Sequence, residues 1–114
     1  MVTHKVLYEY FPNLTKQQYE QIELLCERYI YWNDKINVIS RKDIENIFEH
    51  HVLHSMAIAK FFDFKQGSKI LDVGTGGGLP GIPLAILFPK VQFTLIDGIA
   101  KKITVASNII NELG

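Results

Sequence analysis

The run Ile70-Leu71-Asp72-Val73-Gly74-Thr75-Gly76-Gly77-Gly78-Leu79-Pro80-Gly81-Ile82-Pro83 joins an apolar strand to a loop that only glycines could build. Four of the five residues after Val73 are glycine. Glycine accepts backbone conformations closed to other residues and places no side chain between the main chain and a ligand. Residues from about Gly81 to Leu87 read as a helix, so the loop's amides and the positive end of a helix are expected to face one point. Strand, glycine loop and helix in that order read as a site for a nucleotide-type cofactor.

The remaining elements follow from hydrophobic periodicity. Thr15-Lys16-Gln17-Gln18 has the form of a capping box, and Tyr19, Ile22, Leu25, Cys26, Tyr29 and Trp32 recur at helical spacing, which predicts an amphipathic helix over about 15–33. Ser40-Arg41-Lys42-Asp43 is a second capping signal. It precedes Ile44, Ile47, Phe48, His51, Ser55, Ala59 and Phe62 on one face, flanked by Val52 and Met56, and so predicts a helix ending near Phe62. Lys69 to Val73 and Val91 to Ile96 read as strands, and about Ala100 to Leu113 as a helix with Ile103, Ala106, Ile109, Ile110 and Leu113 on its stripe.

The order from Lys69 onward is therefore β, α, β, α, which predicts a βαβ unit with parallel strands. Parallel sheets need both faces covered and more than two strands. The expected class is α/β with an incomplete sheet: a helical segment over 1–66, then 67–114 as the first part of a larger doubly wound domain, with the 114 residues expected to be a fragment.

Composition adds exclusions. Apolar residues make up 47% of the chain and the twelve basic and twelve acidic side chains balance, so the basic footprint usual in nucleic-acid binders is missing. An RNA substrate has to rest on other grounds. No apolar stretch approaches the roughly 20 residues that span a bilayer, and His4, Lys5 and Glu9 interrupt any secretory leader. A lone cysteine, Cys26, excludes an internal disulfide and suits a reducing compartment, so a cytoplasmic protein without membrane contact is expected.

Two cofactor families fit a glycine loop after a first strand. The dinucleotide pattern G-x-G-x-x-G is formally met by Gly76, Gly78 and Gly81, yet counted from Gly74 its third slot falls on Leu79. An acidic residue followed by G-x-G-x-G, here Asp72 then Gly74, Gly76 and Gly78, fits S-adenosylmethionine without a shift. Asp72 is expected to orient the ammonium or brace the loop, while glycine amides approach the methionine portion. Asp97, at the carboxyl end of the second strand, is placed to accept hydrogen bonds from the ribose hydroxyls.

The residues Asp72 to Ile86, then Phe93-Thr94-Leu95-Ile96-Asp97 and Lys101-Lys102, resemble the bacterial small-subunit ribosomal RNA methyltransferase G family, also called the glucose-inhibited division protein B family. Trp32-Asn33, Ile36-Asn37-Val38 and His51-Val52-Leu53 resemble that family's helical N-terminal extension. The resemblance implies a Rossmann-like class I methyltransferase domain, S-adenosyl-L-methionine as donor, and guanine N7 in 16S rRNA of the small ribosomal subunit as acceptor. It implies cofactor contacts at Gly74 and Leu79 and ribose contact at Asp97. With the register argument, the candidate cofactor residues are Asp72, Gly74, Thr75, Gly76, Gly78, Leu79 and Asp97. Two positions depart from the family pattern: His54 stands where many members are acidic, and Gly98 follows Asp97 where many have serine.

Methyl transfer to a free N7 lone pair requires no general base, so the lack of a catalytic dyad is in keeping with that chemistry, and no catalytic residue is assigned. His50, His51 and His54 share one predicted helix without the partners of a closed metal site, and no metal is expected; His51 falls on the apolar stripe, near the expected transfer cleft. Cys26 reads as a small core residue and Trp32 as a helix-ending packing residue. Lys101 and Lys102 read as a solvated face, with phosphate contact as the alternative. No stable protein partner is expected. Two other readings stay open: an NAD(P)-binding oxidoreductase fragment, and a non-catalytic module that packs on RNA or the ribosome.

Overall fold

The computed structural model describes residues 3–114, with side-chain surroundings from Lys5 onward. It opens with a helix that periodicity did not predict, α1 (Thr3–Tyr10). Eight residues are too few to hold a helix in water by themselves. Tertiary burial supplies the difference, since Leu7 is fully enclosed and Phe11 nearly so.

Helix α2 (Lys16–Asn33) starts where its capping box predicts. The Gln18 amide donates to Thr15 Oγ1 at 3.1 Å, and the Thr15 amide donates to Gln18 Oε1 at 2.9 Å. Tyr19, Ile22, Leu25, Cys26, Tyr29 and Asn33 form its buried stripe. The same Gln18 side chain donates to the Ile86 carbonyl at 2.9 Å, which fixes the start of α2 against the back half of the chain. At the other end, Arg28 grips the Glu112 carboxylate, and Trp32 lies beside it.

Residues 44–60 depart from the expected single helix. A 3-10 turn (Ile44–Asn46) leads into a π-helical stretch (Ile47–Val52), then α3 (Leu53–Met56), then a second 3-10 turn (Ala57–Lys60). Among the described residues the Ser40 side chain caps no amide; its carbonyl accepts the Asp43 and Ile44 amides. The wide π turn places Ile47 and Val52, five residues apart, in the same core, which a regular 3.6-residue period would not do. Phe62, expected on the buried face, is 62% exposed because the helical run has already ended.

Strands β1 (Lys69–Val73) and β2 (Gln92–Ile96) pair in parallel with Lys69 opposite Gln92 and Val73 opposite Ile96. Helices α4 (Gly81–Leu87) and α5 (Ala100–Leu113) follow them as expected. Val105, Ala106 and Ile109 are the buried positions of α5, whereas Ile110, predicted on the stripe, is half-exposed. Asp72 and Leu95 face α4, while Leu71 and Val73 on the opposite side are 58% and 70% exposed. One apolar core runs from Leu7 through α2, Val52 and Met56 to Ile82, Ile86 and Ile109, so the segments 1–66 and 67–114 share it.

The turn after α2 depends on one side chain. Buried Asn33 accepts the Val38 and Ile39 amides, each at 2.9 Å, and donates to the Ile39 carbonyl at 3.0 Å. Replacing it by alanine strands buried backbone groups, so Asn33→Ala is expected to lower unfolding free energy by about 2–3 kcal/mol, measured by urea denaturation.

Candidate cofactor site

The site begins where the sheet ends. The Gly74 and Thr75 amides both donate to the Ile96 carbonyl, at 2.9 and 3.0 Å, so the loop leaves β1 tied to the last residue of β2. The chain then folds back on itself: the Gly78 and Leu79 amides donate to the Thr75 carbonyl, each at 3.0 Å. Gly74, Gly76 and Gly78 adopt φ of 71°, 60° and 110°. At Gly78 a side chain would be strained by that φ and would also place its Cβ 2.3 Å from Ile82 Cδ1.

Asp72 is the brace that the sequence offered as one of its two roles. Its Oδ2 accepts the Thr75 hydroxyl at 2.6 Å and the Gly81 amide at 3.0 Å. The second bond places a carboxylate on the first amide of α4, where the helix dipole favours negative charge. Close packing is needed for it: a Cβ on Gly81 would lie 2.7 Å from Leu95 side-chain atoms and 2.9 Å from Asp72 Oδ2.

Asp97 closes the other side. Its Oδ2 accepts the Gly76 amide and its Oδ1 the Ile99 amide, each at 2.8 Å. The Ile99 and then the Gly76 amide hold its carboxyl below the usual carboxylate range, with nearby Lys102 adding to the effect. Each carboxylate oxygen accepts more than one hydrogen bond, so Asp97 retains acceptor capacity toward a ligand.

Six of the amides expected to face a ligand, those of Gly74, Thr75, Gly76, Gly78, Leu79 and Gly81, are bonded within the protein instead. Thr75 is turned inward and 3% exposed, its hydroxyl held by Asp72. What the loop does offer is open space: no atom lies within 4 Å of a Cβ placed on Gly74 or Gly76. Asp97, Gly74 and Gly76 thus gather at one edge, while Asp72 and Thr75 support it from within.

Residues of the helical layer that the sequence did not connect to the site also shape it. The Tyr29 hydroxyl, fully enclosed, donates to the Gly77 carbonyl at 2.9 Å, and burial above all drives its pKa upward, so it remains a donor. Val38, positioned by Asn33, packs against Gly77 so closely that a Cβ there would lie 3.0 Å from Val38 Cγ2. A tyrosine on an apolar stripe was the available signal, because a buried phenol needs a partner. Cys26 is buried, and burial, with Glu23 and Glu27 nearby, pushes its thiol up to about 12; it is a core residue and no nucleophile.

These bonds set measurable outcomes. Asp72→Ala removes the acceptor for the Thr75 hydroxyl and the Gly81 amide and is expected to cost about 2 kcal/mol of stability in urea denaturation. Tyr29→Phe leaves a buried carbonyl without its donor and is expected to cost about 1–2 kcal/mol by the same measurement.

The family model for rRNA small subunit methyltransferase G, GidB, matches residues 18–114. A ribosomal RNA small subunit methyltransferase G of Bacteroides fragilis is 59% identical over 110 residues, covering 96% of this chain and 53% of that protein. The Porphyromonas gingivalis protein of the same name is 56% identical over 110 residues, covering 96% and 50%. That of Flavobacterium johnsoniae is 58% identical over 105 residues, covering 92% and 50%. The chain spans about half the length of these relatives. With its α/β order, its parallel β1 and β2 and its glycine loop, the chain belongs to the rRNA small subunit methyltransferase G family and carries part of a Rossmann-like class I methyltransferase fold.

Proposed function

We propose that the protein, as a polypeptide of its relatives' length, methylates guanine N7 in 16S rRNA of the small ribosomal subunit, with S-adenosylmethionine as donor. The relatives' name, ribosomal RNA small subunit methyltransferase G, supports the RNA class and the methyl transfer. The observation that carries the choice of donor is the position of Asp72. A dinucleotide would set its pyrophosphate against the N-terminus of the helix after the glycine loop. Here the Gly81 amide at that terminus is bonded to the protein's own carboxylate, which would repel a phosphate. A donor without phosphates suits this loop, and an oxidoreductase using NAD(P) does not.

The residues fit such a donor in three respects. Asp97 is charged, lies at the carboxyl end of β2 and has lone pairs to accept two ribose hydroxyls. The bare backbone of Gly74 and Gly76 permits close approach beside it. Leu79, partly buried where the loop meets α4, offers apolar contact. When bound, adenosylmethionine supplies a sulfonium-activated methyl group whose S–C bond electrons return to sulfur as a neutral thioether. Guanine N7 contributes the lone pair for the new N–C bond and loses no proton, so no side chain has to act as a base. The protein's part is alignment, for which the Asp72, Tyr29 and Asp97 bonds hold the loop in one shape.

The test is ligand selectivity in the full natural polypeptide. Adenosylhomocysteine is expected to raise the melting temperature and NADH to leave it unchanged; a shift with NADH alone would restore the oxidoreductase reading, and no shift with either would favour a non-catalytic ribosome-binding module. Asp97→Ala is expected to weaken adenosylhomocysteine binding by about tenfold or more in calorimetry. Because folding lowers the Asp97 pKa, its anion stabilises the loop at all pH above the ordinary aspartate value of about 3.9, and that contribution disappears only as pH falls through the lowered value. Adenosylhomocysteine affinity is therefore expected to hold from neutral pH down to about 4.5 on this account, measured across a pH series.

A further inference from the structure

A cavity of about 340 Å³ opens beside the glycine loop, lined by His50, His51, His54, Ser55, Leu79 and Pro80. Leu79 is also a proposed donor contact and Pro80 follows it, so the cavity adjoins the proposed donor site. A methyl donor and its acceptor have to come within about 3–3.5 Å of each other, which requires the acceptor subsite to adjoin the donor loop. A larger cavity, about 540 Å³, touches Gly81 and Leu95 but has no titratable side chain in its wall and extends to Gln17, Gln21 and Pro89, behind α4.

The wall of the smaller cavity has the chemistry to read a nucleobase. Three imidazoles and a hydroxyl combine flat π surfaces with hydrogen-bonding groups, and the Leu79–Pro80 step supplies an apolar side. Its volume falls within the range of about 300–1,000 Å³ usual for small-ligand sites. His50 and His51 stand on the π-helical stretch Ile47–Val52, a rare geometry that is frequent at functional sites. Nε2 of His51 is enclosed without a hydrogen-bond partner among the described residues. Its nearest carboxylate, Asp43 Oδ2, is 3.7 Å away, beyond hydrogen-bond length, and the second Asp43 oxygen stands 3.6 Å from His50 Nδ1.

We propose that this cavity is the acceptor subsite: a purine extruded from single-stranded RNA enters between the imidazoles of the π-helical stretch and the Leu79–Pro80 step, with His51 as a contact to the base. Enzymes that act on a nucleobase take it out of its stack into a pocket of this kind. The inference rests on the methyltransferase reading and adds to it the place and the residues that receive the base.

The test uses the full natural polypeptide, adenosylhomocysteine binding by calorimetry, and methyl incorporation into small ribosomal subunits from cells that lack this modification. His51→Ala removes the contact and Ile58→Trp fills the cavity from its wall. Both are expected to keep adenosylhomocysteine affinity while lowering kcat/KM for the subunits by about tenfold to a hundredfold. Unchanged methylation in both variants overturns the proposal, and so does a parallel loss of adenosylhomocysteine affinity, which would make the cavity part of the donor site. Absence of adenosylhomocysteine binding in the unaltered protein would instead overturn the proposed function. A second measurement needs no variant: unmethylated subunits, and not adenosylhomocysteine, are expected to protect His50 and His54 from carbethoxylation by diethyl pyrocarbonate, mapped by mass spectrometry. Protection by adenosylhomocysteine alone, or by neither, overturns the subsite.

Discussion

The carboxylate of Asp72 joins the three parts on which the site depends. It projects from β1, holds the Thr75 hydroxyl inside the loop and accepts the first amide of α4. One oxygen thus fixes the exit of the strand, the curl of the loop and the entry of the helix. The contact exists only because Gly81 lacks a Cβ, which would collide with Leu95 and with Asp72 itself. A charge placed there also fills the position on the helix that a phosphate would need, which supports the proposed phosphate-free donor.

The helical layer is more than a cover for the sheet. Asn33 shapes the turn after α2, that turn delivers Val38 to Gly77, and Tyr29 from the same helix holds the Gly77 carbonyl. The loop is clamped from below by the sheet and from the side by α2, with most of its amides bonded within the protein. Rigidity of this kind suits a reaction in which alignment is the protein's main contribution. The composite helical stretch over residues 44–60 brings the histidines to the Leu79–Pro80 end of the same loop, so both halves of the chain contribute to one edge.

Much of this was legible beforehand where the signal is local. The Thr15 capping box, the Gly81–Leu87 helix and the β1 boundaries follow from neighbouring residues, and the structure has them as expected. Helix α1 was not legible, because its stability comes from burial of Leu7 against distant residues. The 44–60 stretch was read as one regular helix since its apolar positions nearly fit a 3.6-residue period; the π turn that reconciles Ile47 with Val52 is a tertiary accommodation. The bonds among the candidate site residues were not legible: Thr75 faces inward, and amides expected to face a ligand bond the protein instead.

By itself the sequence determined the β, α, β, α order, the register of Gly74, Gly76 and Gly78 against Asp72, and the family, because each is carried by residue type and spacing along the chain. Only the tertiary structure decided which backbone and side-chain groups each carboxylate holds, and that Tyr29, Asn33 and Val38 pack on the glycine loop at all. The physical reason is that hydrogen-bond partners are chosen by packing between segments tens of residues apart. Residue type states what a side chain is able to bond, and the fold settles which of those bonds is made within the protein and which is left for a ligand.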